Sequence, residues 1–175
     1  MIVAVAILGA LVVVLAAALV ASRGGLAPRR RRPKPGALRI LVPFTGGTLE
    51  PTVLTAAIRI AQAQEATLVP AYLLRVPLQY PEDSPIASEV EVALPLLEAV
   101  EHAALRAGVP VDARIEKGRT PTHALKRLWE VEHFDFVVAP APNGNGGGFT
   151  LKDVSWILAH APSETVLLKP APAAA

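Results

Sequence analysis

Two glycine-bearing turns hold the residues of this sequence best suited to chemistry. Thr45-Gly46-Gly47 follows an apolar run at residues 38–44, and NGNGGG at 143–148 follows another at 134–139. Glycines let a backbone approach a phosphate closely, and main-chain N–H groups at a following helix start hold the anion. Gly144 and Gly147 lie in the second turn, and after it Lys152 brings a point charge and Ser155 a hydroxyl. Set against that reading, four glycines in five positions are more often a mobile loop than a phosphate cradle.

Other reactive side chains form no constellation. His102, His123, His133 and His160 lack the H-x3-H or H-E-x-x-H spacing of a metal site, so no metal is expected. Glu98 and Glu101, three apart on a helical pattern, read as a solvated face, not a catalytic pair. Ser84, Ser88, Ser155 and Ser163 lack a G-x-S-x-G setting. The chain has no cysteine, which excludes disulfides, thiolate metal sites and a thiol nucleophile. Trp129 and Trp156 fall at helical positions suited to core or interface packing. A non-enzymatic protein is expected.

Charge divides the chain of 175 residues in two. Residues 1–35 carry six basic side chains (Arg23, Arg29, Arg30, Arg31, Arg32, Lys34) and no acid. The other 11 basic and all 15 acidic groups lie in residues 36–175, a net of −4. Binding of nucleic acid by such a body is disfavoured, since phosphate contacts need a basic face. Residues 2–21 are 20 consecutive positions without a charge or a proline. As a helix they would span about 30 Å, the thickness of a bilayer's hydrocarbon core. The arginines just after this span place it, by the positive-inside rule, with its C-terminal flank in the cytoplasm. A cleaved secretory signal ending near Ala16-Ala17-Ala18 is the alternative, but it lacks a basic start. The expected organisation is a membrane anchor at 1–21, a basic Pro/Gly-rich linker at 22–36, a folded domain at 37–170 facing the cytoplasm, and a disordered tail at 171–175.

The elements that must position the two turns alternate. Strands are expected at 38–44, 67–74, 109–116, 134–139 and 165–169. Between them lie helices at 48–64 (Thr48 as N-cap, Pro51 in the first turn), 90–107, 120–132 and 150–160. The second helix has its apolar stripe on Val90, Leu94, Leu97, Val100, Ala104 and Ala107, and Pro95 predicts a kink or a start near Val92. Thr150 with Asp153 three residues on forms a capping box. Such alternation predicts an α/β doubly wound, five-stranded parallel sheet, Rossmann-like, with right-handed crossovers. The order 3-2-1-4-5 brings the carboxyl ends of strands 1 and 4 together, with both glycine turns at the crevice.

Residues 37–170 resemble the universal stress protein family. The likeness is carried by LRILVPFTGG, by AGVPVDARIEKGRTPTHALKRLWEVEHFDFVVAP and by VSWILAHAPSETVLLKP, in that order and spacing. It implies a five-stranded α/β fold, frequent homodimers, and an adenine-nucleotide crevice in some members. Nucleotide-binding members place an Asp after strand 1 and G-x2-G-x9-G-(S/T) after strand 4. Here Thr45 stands at the Asp position, Ala139-Pro140-Ala141-Pro142 at the G-x2-G, and Lys152-Asp153 near the final Gly-Ser. A proline donates no N–H and an aspartate repels phosphate. The resemblance thus implies a degenerate nucleotide site at Pro43, Thr45, Gly46, Gly144, Gly147, Lys152 and Ser155, with no cofactor expected and ATP the alternative.

The last strand, with Val166, Leu167 and Leu168, is an edge strand in this order. Exposed edges demand pairing or blunting, and the resemblance implies a homodimer across it. The expected function is a membrane-anchored regulatory or interaction domain with a protein partner. An adenine-nucleotide-binding stress sensor using a rearranged glycine loop is the alternative.

Overall fold

The computed structural model describes residues 36–46, 49–82, 84, 86–142 and 148–169. The anchor span, nearly all of the linker, the tail, Thr48, Gly144 and Gly147 lie outside them. Among the described residues nine elements follow in order: β1 (Arg39–Phe44), α1 (Pro51–Ala63), β2 (Thr67–Arg75), α2 (Ala87–Arg106), β3 (Arg114–Gly118), α3 (Pro121–Val131), β4 (Phe136–Pro140), α4 (Leu151–His160) and β5 (Glu164–Leu168). The sheet is parallel throughout, in the order β3-β2-β1-β4-β5. Among the described residues no helix is long and apolar enough to cross a membrane.

The layers follow from the period-2 alternation of the strands. Leu41, Val69, Ala71, Leu73, Val137 and Ala139 face α3 and α4, meeting Leu125, Leu128, Val154 and Ile157 in one core. Ile40, Val42, Leu68 and Val138 face α1 and α2, meeting Val53, Ala57, Val100 and Ala104. β1, buried along nearly its whole length, therefore reads as an unbroken apolar run.

Two prolines inside strands shape the sheet. The carbonyl of Leu38 accepts from Thr67 N toward β2, and that of Arg39 accepts from Asp135 N toward β4. Alternation then turns Leu41 and Pro43 toward β4. Pro43 has no N–H to give, and the β1–β4 pairing ends at Leu41↔Val137. On the other flank Leu68 N donates to Pro110 O, so Pro70 faces β3 and again offers no donor. The consequence corrects the expected strand at 109–116. Val111 makes only an isolated bridge to Leu68, and continuous pairing begins at Ala71↔Arg114.

Other boundaries also moved. α1 starts at Pro51, with Glu50 as its N-cap and no side-chain cap hydrogen bond, not at a Thr48 cap. α2 runs from Ala87 through Pro95, so it neither begins near Val92 nor stops at the proline. Leu94, expected in the buried stripe, is 49 % exposed, and Ala93 is buried instead. Thr120 caps α3 by accepting from His123 N. The Thr150–Asp153 capping box of α4 is present as expected.

Candidate functional site at the carboxyl end of the sheet

The chain leaving β1 and the chain entering α4 meet above the sheet. Gly46 has φ +77 and Gly148 φ +103, both left-handed backbone that favours glycine. A Cβ on Gly46 would stand 3.6 Å from the Gly148 nitrogen, so the two turns are neighbours. Thr45 donates its hydroxyl to the Leu73 carbonyl at 3.3 Å, tying this turn to the end of β2. Phe149 is buried in the α3/α4 core and anchors the returning chain. Thr45 and Gly46 thus reach the crevice rim, while Pro43 lies below it, buried in the sheet opposite Ala71.

The start of α4 is where a phosphate would be held. Its first turn is already engaged by a carboxylate of this chain. Asp153 Oδ2 accepts from Thr150 N at 2.9 Å and from the Thr150 hydroxyl at 2.6 Å, while Asp153 N donates back to Thr150 Oγ1 at 3.2 Å. A second anion at this N-terminus would meet the charge of Asp153. Lys152 and Ser155 are exposed, on the side of α4 away from the buried Val154 and Ile157.

A strap, described at residues 76–82, 84 and 86, is tied to the carboxyl ends of β2 and β3. The Arg119 guanidinium donates to Val76 O at 3.3 Å and to Pro77 O at 2.6 Å. Lys117 Nζ donates to Ser84 O at 3.2 Å. Glu82 takes Arg127 at 3.3 Å and faces His123 Nδ1 at 3.2 Å. Leu78 and Tyr80 project from this strap, 86 % and 49 % exposed. None of these ties is readable from spacing, since the partners lie some 30 to 45 positions apart.

At the amino end of the sheet, Arg39 and Arg114 share Asp112 and Glu132 in a four-membered ion network, with Arg39 also 5.6 Å over the Phe134 ring. Trp129 stacks on Trp156 (5.4 Å, 3°), and Trp156 on His160 (4.7 Å, 13°). The tryptophans therefore pack between α3 and α4. Among the described residues no group of three or more metal-ligating side chains converges. On β5, Leu167 packs into the α3/α4 core, while Val166 and Leu168 pack on the α1 side.

The universal stress protein family profile matches residues 37–169. The chain belongs to that family. Solved structures with this fold include a universal stress protein from Burkholderia pseudomallei, 22 % identical at a TM-score of 0.57, covering 74 % of this chain and 94 % of that one. Another is a universal stress protein in complex with cAMP (17 %, TM-score 0.57, covering 75 % and 96 %). A third is a family protein from Arabidopsis thaliana with AMP bound (14 %, TM-score 0.52, covering 77 % and 92 %). At these identities the likeness shows the fold of this universal stress protein domain. No curated protein matches the chain.

Proposed function

We propose that this chain is a membrane-anchored, non-enzymatic universal stress protein that works through protein contacts, its crevice no longer an ATP site of the family's usual kind. The observation that carries the reading is the Asp153 carboxylate seated on the first turn of α4. Thr45 in place of the family's aspartate and Ala139-Pro140-Ala141-Pro142 in place of its first glycines support it. The anchor rests on residues 2–21 and the arginines that follow, with the domain on the cytoplasmic side. A homodimer across the β5 edge is part of the same reading, since the outer side of β5 has no strand partner within the described residues.

A second reading, an adenine-nucleotide sensor, is favoured by the side-chain-free meeting of Gly46 and Gly148 and by the cAMP and AMP complexes of this fold. Calorimetry on the detergent-purified full chain separates the two. With magnesium present, ATP, ADP, AMP and cAMP are expected to give no heat up to millimolar concentration. A one-to-one site with micromolar Kd, about −8 kcal/mol, establishes the sensor instead. Fractionation of cells tests the anchor: the full chain should sediment with membranes and a chain lacking residues 1–35 should not.

A further inference from the structure

His123 stands between a donor and an acceptor that compete for one atom. Its Nδ1 lies 3.4 Å from the main-chain nitrogen of Arg119, which donates to it, and 3.2 Å from Glu82 Oε1, which can only accept when ionised. Accepting from Arg119 requires a bare lone pair on Nδ1, and that lone pair then faces the Glu82 carboxylate. Binding Glu82 requires a hydrogen on Nδ1, and the Arg119 N–H then loses its partner. Histidine changes charge in the physiological range, so proton concentration can choose between the two.

We propose that His123 is a protonation-controlled latch on the strap over the carboxyl end of the sheet. Charged His123 ties Glu82, and with it residues 76–82, to the start of α3. Neutral His123 returns Nδ1 to Arg119 and leaves Glu82 to Arg127 alone. Among the described residues, Glu82 from the strap faces the ring, Arg127 one turn along α3 shares the same Glu82 oxygen, and Arg119 from the β3–α3 turn presents its main-chain nitrogen, its guanidinium being held on Val76 and Pro77. The latch has something to regulate, because the segment it holds carries the exposed Leu78 and Tyr80. It depends on neither the membrane anchor nor the state of the nucleotide site.

Hydrogen exchange of the full chain, corrected for intrinsic rates and read on peptides covering residues 76–82, tests the latch. Between pH 5.5 and pH 8.0 strap protection should fall at least threefold, with α1 and β1 peptides unchanged over the same range. In His123→Gln, which keeps a hydrogen-bonding side chain but cannot take a proton, the pH dependence should vanish. Glu82→Gln should abolish it as well, from the other side of the contact. A pH-independent strap in the unsubstituted chain, or an undiminished slope in either variant, overturns the proposal.

Discussion

Gly118 and Ala124 touch backbone to backbone: a Cβ built on Gly118 would lie 2.6 Å from the Ala124 nitrogen and 2.9 Å from its Cα. Gly118 closes β3 and Ala124 sits in the first turns of α3, so this contact sets how closely helix and sheet approach. Backbone atoms cannot rotate aside as a flexible side chain can. Gly118→Ala should therefore destabilise the domain by about 3 kcal/mol, as overpacking in a rigid setting does. Chemical denaturation checks it; Gly108→Ala, where a Cβ meets nothing but φ is +74, should cost less, about 1 kcal/mol.

Asp153 is both a cap and an occupant. Asp153→Ala should cost about 1 kcal/mol of stability through loss of the reciprocal cap. It should also leave α4's first turn open to an anion. Under the proposed function, nucleotide binding stays undetectable in this variant because Thr45 and the prolines remain. Calorimetry on the variant, alongside its melting curve, reads both effects.

Tyr72 is buried, donates to Glu89 Oε2 at 3.1 Å, and lies edge-on to Phe44. Burial, reinforced by the bond to Glu89 and its charge, pushes its phenol up from 10.0 to about 12. The folded chain thus favours the neutral phenol. Its contribution to stability is complete below pH 10 and is lost as pH rises from there through about 12. An ultraviolet phenolate titration should show one of the chain's two tyrosines ionising near the upper value, and Tyr72→Phe should remove that step.

Glu116, on β3, has its carboxyl raised above the usual value, first by burial and then by the Glu132 charge, against the opposing Arg127 and Arg114. A raised acid stabilises the fold below its unfolded pKa, and that contribution is lost as pH rises through the folded one. Glu116→Gln should accordingly match or slightly exceed the unsubstituted chain in stability at neutral pH. Its advantage should shrink as pH falls below the ordinary glutamate range. Melting temperatures at pH 4 and pH 7 decide the sign.

The Trp129–Trp156 stack gives a signal for α3–α4 docking. Trp156→Ala should cost about 3 kcal/mol or less, its ring being only half-buried, and shift Trp129 emission to the red as its partner is replaced by water. Tryptophan fluorescence during urea unfolding follows it.

Local patterning carried most of the fold. The alternation of short apolar runs with amphipathic stretches defines the elements, because side-chain period and burial are tied to backbone geometry. Thr120-Pro121 and Thr150-x-x-Asp153 placed two helix starts correctly, since caps act within three residues. The strand order was legible because a switch point needs both glycine turns at one end of the sheet. The start of β3 at Arg114 was not, for it depends on Pro70, a proline in a neighbouring strand whose missing N–H is felt only after pairing. The same holds for the site. The expectation of an eroded phosphate motif rests on residue types alone. That Asp153 turns inward to hold Thr150, that Lys152 and Ser155 point out, and that Glu82 meets His123 are facts of tertiary structure, because they join or separate side chains by direction and distance, which spacing along a chain does not encode.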